Sequence, residues 1–216
     1  MCGIAGILTQ RKSKIEKNIN SILNSISHRG PDGKGYYINS ERNVAIGNTR
    51  LAIQDISKNG KQPFISNCGR YLIVFNGEIY NFKQLKKKIN NQNLKSNSDT
   101  EILLNYYILK GEECISEFKG FFSFAIWDKK KSKLFCARDR FGIKPFYYLY
   151  NKNEFTFCSE IKPLLKFLKT NLPNENAVNS YLTSEYYENI KTTFFRSVLK
   201  LKPGHILIYE KGKLIE

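Results

Sequence analysis

With 216 residues, 41% of them hydrophobic and 13% aromatic, the chain can bury a full apolar core in one large domain, and its composition excludes a disordered segment. No apolar run approaches the ~20 residues of a membrane helix. The short apolar opening meets Arg11-Lys12 where a secretory signal would carry a small-residue cleavage site, so a cytoplasmic protein is expected.

The net charge of +16 is mostly lysine spread over turns and helix faces, as at Lys86-Lys87-Lys88 and Lys129-Lys130-Lys131. It forms no stripe on a nucleic-acid reader motif, so it argues for solubility and attraction of anions and against a nucleic-acid partner. Residues 3–8 read as a strand. Ile15, Ile19, Ile22, Leu23 and Ile26 recur at helical spacing, which predicts an amphipathic helix over 12–27. His28-Arg29-Gly30-Pro31-Asp32-Gly33 ends it, because Gly-Pro followed by Asp-Gly cannot continue a helix. Strands are expected at 35–38, 44–53 and 71–75, then a short helix marked by Leu85 and Ile89. Ser98-Asp99-Thr100-Glu101 has the capping-box pattern, with Glu101 reaching back to the cap. The helix it starts buries Ile102, Leu103, Tyr106 and Tyr107 and stops at Gly111.

Strands at 120–127 and 133–138 follow, joined by a charged turn, and 146–150 pairs similarly with 155–157. The unbroken apolar run 121–127 predicts a strand covered on both faces. The tail, 198–204 and then 205–209, reads as a last strand. Short hairpin-linked strands with helices before, between and after them predict an α+β fold with two packed sheets.

Five scattered cysteines, with no CxxC and no Cys/His cluster, argue against a disulfide framework and against a metal site. Cys136 and Cys158 sit among apolar neighbours and read as small buried hydrophobes. Cys2 is the one placed for chemistry. Once Met1 is removed it carries a thiol of free pKa about 8.5 and an α-amine of about 7.7–8.0. Such an amine can act as the base that activates its own side chain. The competing reading is a small residue at a frayed end.

Asn76-Gly77 after a strand is a favoured type I′ hairpin turn. Glu78-Ile79-Tyr80-Asn81, however, leads into a lysine-rich helical stretch and not into a second strand. An Asn amide and the next N–H can instead converge on one oxygen as an oxyanion hole. Arg50, in an otherwise apolar strand, is either solvated or suited to a bidentate grip on a carboxylate. Asp99, at a helix start, either complements the helix dipole, worth ~0.3–1 kcal/mol, or meets a substrate ammonium. A carboxylate grip plus an ammonium grip describes a free amino acid, and a thiol nucleophile makes glutamine the natural substrate.

These residues stand in segments that resemble a known family. They are Met1-Cys2-Gly3-Ile4, His28 to Gly33, Thr49-Arg50-Leu51, Gln62-Pro63, Asn76 to Asn81, Ser98 to Glu101, Phe121 to Asp128, Arg138 to Pro145, Ser159 to Lys162 and Lys202 to His205. In this order they resemble the N-terminal glutaminase domain of asparagine synthetases. Those are class II glutamine amidotransferases of the N-terminal-nucleophile hydrolase group. The Arg-Gly-Pro-Asp and Asn-Gly-Glu-Ile-Tyr-Asn forms are closer to that branch than to the glucosamine-phosphate or phosphoribosylamine branches.

The resemblance implies a four-layer αββα sandwich, with Cys2 as nucleophile and its amine as base. Asn76 and Gly77 become the oxyanion hole, and Arg50 the carboxylate anchor. Asp99 and Glu78 hold the ammonium end, and Leu51 and Ile53 line the glutamine pocket. It implies no cofactor in this domain, with ATP and magnesium needed only by a synthetase domain in the same or a separate chain. A homodimer stays open. The Ser-Gly-Gly-x-Asp-Ser loop that binds ATP in the family has no counterpart here. Residues 1–216 are therefore expected to be one glutaminase domain, as a fragment or a stand-alone chain. Two alternatives remain: the glutaminase half of an amidotransferase acting on another carboxylate, and a silent glutamine-binding module.

Overall fold

In the computed structural model, which describes residues 1–10, 14–41, 43–89, 93–184 and 191–216, the strands sort into two antiparallel sheets. The first contains β1 (Gly3–Thr9), β2 (Gly33–Ile38) and β3 (Val44–Arg50). The second contains β4 (Phe64–Ile65), β5 (Tyr71–Ile79), β6 (Gly120–Asp128) and β7 (Lys133–Arg138). The hairpin β8 (Tyr147–Asn151) and β9 (Glu154–Cys158) returns to the first sheet, as does β10 (Leu199–Lys200). The chain then closes the second sheet with β11 (Ile206–Glu210) and β12 (Lys213–Ile215). The resulting orders are β10-β8-β9-β1-β3-β2 and β12-β11-β7-β6-β5-β4.

Strand parity makes the layers. Successive side chains point to opposite faces of a sheet, so each apolar strand serves two cores. Ile4 and Leu8 of β1, Val44 and Ile46 of β3, Leu72 and Val74 of β5, and Ala125 and Trp127 of β6 fill the space between the sheets. The alternate β6 residues Phe122, Phe124 and Ile126 face outward against Ile102, Leu103 and Tyr106 of α3 (Asp99–Lys110), with Leu85 of α2 (Phe82–Lys88) beside them. On the other outer face, Ala5, Ile7 and Ala45 pack under Ile15, Ile19, Ile22 and Leu23 of α1 (Ile15–Ser25) and Leu164 of α4 (Ile161–Leu165). A further helix, α5 (Glu175–Ser184), lies between α4 and β10 in the chain. The order is helix, sheet, sheet, helix: the α+β, four-layer αββα sandwich. No helix among the described residues is long and apolar enough to cross a membrane.

The structure revises several boundaries. The first helix spans Ile15–Ser25, and residues 12 and 13 of the predicted stretch lie outside the described ones. β3 stops at Arg50, short of 53, because the next amides are diverted: Leu51 N–H goes to Cys2 Sγ and Ala52 N–H to the Asp32 carboxylate. β5 runs on through Asn76-Gly77 to Ile79, paired with β6 along its length, so Asn-Gly forms neither a hairpin turn nor a strand end. The predicted tail strand is two strands in different sheets, β10 and β11, with the crossing between them. At the head of α3 the Ser98 hydroxyl accepts from Glu101 N–H as expected. The Glu101 carboxylate, though, reaches past the cap to Lys95 N–H and Ser96 N–H. It ties down the approach loop and leaves Ser98 N–H to the Ser96 hydroxyl.

Candidate active site

The parity that builds the inter-sheet core also assembles a site where that core ends. Even-numbered side chains of β1, β3 and β5 face the space between the sheets. Continuing that alternation along each strand brings Cys2 beyond Ile4, Asn48 and Arg50 beyond Ile46, and Asn76 beyond Val74 to the same end of the sandwich. Cys2, Arg50, Leu51, Ile53, Asn76, Gly77, Glu78 and Asp99 all line one cleft there, of about 570 Å³ with its open mouth included. Every candidate site residue named from the sequence thus lines one cleft. A larger cleft, about 1140 Å³, opens at the opposite end beside Tyr37, Trp127 and Tyr209 and contains none of them.

Cys2 is fixed at both ends of the residue. Its Sγ lies 3.3 Å from the Leu51 N–H nitrogen and 3.6 Å from the Leu51 carbonyl. Its own carbonyl accepts from Arg29 Nε at 3.1 Å. Burial pushes the thiol above its ordinary pKa. The Leu51 N–H, the N-terminal charge, Arg50 and Asn48 pull the other way without overcoming it. The resting group is a thiol and needs a base to become a nucleophile. Met1 is also in the cleft wall, with its sulfur 3.3 Å from Lys144 Nζ.

The same cleft is lined by a residue with a polar group that lacks a partner. The Asn76 side chain is buried, and its Nδ2 meets no hydrogen-bond acceptor among the described residues. Buried donors are rarely left unsatisfied, so such a group points to something the cleft is built to receive. Gly77 has no room for a side chain: a Cβ would strike the Phe121 carbonyl and the Phe122 backbone.

The remaining groups are charged. Arg50 donates through Nη1 to the Ser57 carbonyl at 3.0 Å and through Nη2 to the Asp55 carbonyl, which fixes the plane of its guanidinium. It is the last residue of β3, not the middle of an apolar strand. Asp99 is buried and accepts from Ile79 N–H at 2.8 Å. Burial, with the Glu78 charge adding to it, pushes its carboxyl up to about 7. Gln54 links the two acids, donating to Glu78 Oε2 and accepting from Asp99 N–H.

Asn48, Gln54, Gln62 and Lys144 have no site role assigned from the sequence, although Gln62 and Lys144 stand in segments that carry the family resemblance. Asn48 carried a readable signal, since it lies two residues before Arg50 and therefore on the same strand face. Gln54 and Gln62 come from the loop between β3 and β4, where no periodicity marks them.

An αββα sandwich with a thiol held just before an inner strand of one sheet is a fold of the N-terminal-nucleophile hydrolase type. Among solved structures, glutamine phosphoribosylpyrophosphate amidotransferase from B. subtilis shares it, with a TM-score of 0.72 and 21% identity over 99% of this chain and 48% of that one. The chain belongs to the glutamine amidotransferase domain family, whose model matches residues 1–216. Its relatives include asparagine synthetase [glutamine-hydrolyzing] 2 of Bacillus subtilis, 40% identical over 96% of this chain and 28% of that protein. Amidase chry2 of Gibberella zeae is 35% identical over 96% of this chain and 32% of its own length. The chain therefore spans about a third or less of either relative, and matches the glutaminase part of the synthetases.

Proposed function

We propose that this domain hydrolyses the side-chain amide of glutamine to glutamate and ammonia, with Cys2 as the nucleophile. The observation that carries the reading is the unpartnered amide of Asn76 in the same cleft as the Cys2 thiol. After loss of Met1, the free α-amine of Cys2 takes the thiol proton, and sulfur attacks the amide carbon of glutamine. The carbonyl oxygen becomes an oxyanion held by Asn76 Nδ2–H and Gly77 N–H. The ammonium of Cys2 then returns its proton to the leaving nitrogen, ammonia departs, and water hydrolyses the γ-glutamyl thioester. Arg50 holds the α-carboxylate, Asp99 and Glu78 hold the α-ammonium, and Leu51 and Ile53 form the wall.

The anchors make a pH-dependent prediction. Binding of the ammonium requires Asp99 ionised, yet without ligand its carboxyl titrates at about 7. As pH falls below that value, binding must displace a proton, so KM for glutamine should climb by about tenfold per unit once well below it. Asp99→Asn should remove this dependence while binding weakly at every pH. Arg50→Lys should raise KM as well, since a point charge cannot replace the fork. A wild-type KM that stays flat from pH 5.5 to 8 would refute the Asp99 assignment.

The whole enzyme is proposed to pass ammonia to an activated carboxylate on a synthetase domain. Beside the cleft, Tyr80, Phe141 and Ile143 are 63%, 75% and 52% exposed, and Phe121 makes edge contacts with both aromatic rings. An apolar patch of this kind marks an interaction surface. Similarity to an amidase as well as to asparagine synthetases keeps a second acceptor in view, a carboxylate other than aspartate. Purified chain given glutamine, aspartate, ATP and magnesium should yield glutamate and ammonia only. Asparagine among its products would overturn the assignment of the second step to another domain.

A further inference from the structure

The edge of the second sheet beside the cleft is built in an unusual way, with side chains standing where a strand would be. β4 begins only at Phe64, which pairs with Ile73 as Ile65 does with Leu72, so no strand covers the edge of β5 past Ile73. Beyond that point the odd residues of β5 turn their amides away from β6. Phe122, opposite Gly77, donates its N–H to the Asp139 carboxylate at 3.2 Å and accepts from Asp139 N–H at its carbonyl at 2.8 Å. Tyr80, of the other parity, donates to the Lys119 carbonyl on the β6 side. So Phe75, Gly77 and Ile79 N–H all face the open edge.

Two of these three amides are capped by side chains. Phe75 N–H donates to Gln62 Oε1 at 2.7 Å, and Ile79 N–H to Asp99 Oδ2 at 2.8 Å. Gly77 N–H lies between them, and no side-chain acceptor among the described residues meets it. Had β4 continued by backbone, it would have supplied an acceptor at this level. Gln62 replaces it with a side chain that satisfies one amide and stops. The same side chain reaches toward Thr100 at 3.5 Å, next to Asp99 at the head of α3. Gly35 makes this placement fit, because a Cβ there would strike the Gln62 carbonyl.

We infer that Gln62 is a positioning residue for the oxyanion site, holding β5 at Phe75 so that Gly77 N–H stays free and aimed into the cleft. The inference rests on the glutaminase reading. Gln62→Met removes the acceptor at similar length, and kcat for glutamine should fall about 10–10²-fold, the scale of a small misplacement of a catalytic group. KM should stay within about 2–3-fold, because the amino-acid anchors are elsewhere. Gln62→Glu keeps an acceptor for Phe75 N–H and should restore kcat to within about 3-fold of wild type.

A second readout separates positioning from general damage. The aldehyde analogue of glutamine adds the Cys2 sulfur to its carbonyl carbon, and the former carbonyl oxygen then sits in the oxyanion site. Its affinity should drop in Gln62→Met by the same factor as kcat, while L-glutamate binds as to wild type. If Gln62→Met does not fold, Gln62→Asn, one methylene too short to reach Phe75, is measured in its place with the same expectation. Wild-type kcat in the variant, or equal loss of aldehyde and glutamate affinity, overturns the inference and leaves the glutaminase reading standing. Absence of ammonia release from wild type, with Met1 removed, removes both.

Discussion

Cys2→Ala is expected to abolish glutamine hydrolysis, with a loss of ~10⁴-fold or more, the scale seen when a covalent nucleophile is deleted. The fold should survive. Cys2 precedes β1 and is only half-buried, and its Sγ exchanges hydrogen bonds with the Leu51 backbone. Truncation removes one sulfur from a cleft wall and not from the packed core. Glutamine should still bind, because Arg50 and Asp99 are untouched. Steady-state ammonia release together with glutamine binding by calorimetry checks both halves. The other thiols make the comparison specific. Cys114, Cys136 and Cys158 are buried, and burial pushes each thiol up. Cys68 is exposed in the turn before β5 and lies outside the cleft, so Cys68→Ala should retain full turnover.

Asn76→Ala carries the second large effect. If its Nδ2 is an oxyanion donor, kcat should fall by about 10²–10³ while KM changes little. Stability should change little, unlike in an ordinary core polar deletion. A buried donor with a satisfied partner costs free energy when removed, whereas this one has no partner to lose. The variant should melt at or near the wild-type temperature. A variant that keeps wild-type kcat would sink the oxyanion assignment. Gly77→Ala is the harsher companion, since its methyl would meet backbone atoms of β6 and displace the strand.

The candidate site residues are legible where their signal is local. Cys2 behind Met1, Asn76-Gly77 before a charged segment, and Asp99 behind a Ser cap each stand out within a few positions, and the structure brings all of them to one cleft. What escaped depends on contacts distant in sequence. Asn-Gly has strong turn propensity, but nine residues of pairing between β5 and β6, with capping of the free edge, override it. The end of β3 was placed three residues late because Leu51 and Ala52 look apolar. Their amides are claimed by Cys2 and Asp32, which no pattern around position 51 reveals. The tail misled for a similar reason: two β runs separated by Pro203-Gly204 look like one strand with a bend, yet they belong to different sheets. The buried run 121–127 was legible in full, because a strand apolar on both faces must be covered on both.

Maturation is the point on which the mechanism turns. While Met1 is present, the nitrogen of Cys2 is an amide that cannot accept a proton near neutral pH, and the methionine itself stands in the wall of the cleft. Intact-mass measurement paired with an ammonia-release assay on the same preparation tests this most directly. Protein beginning at Cys2 should turn over glutamine, and folded protein in which a non-cleavable extension keeps Cys2 internal should not. Full turnover by protein that still carries Met1 would contradict the account, because the α-amine could not then be the base.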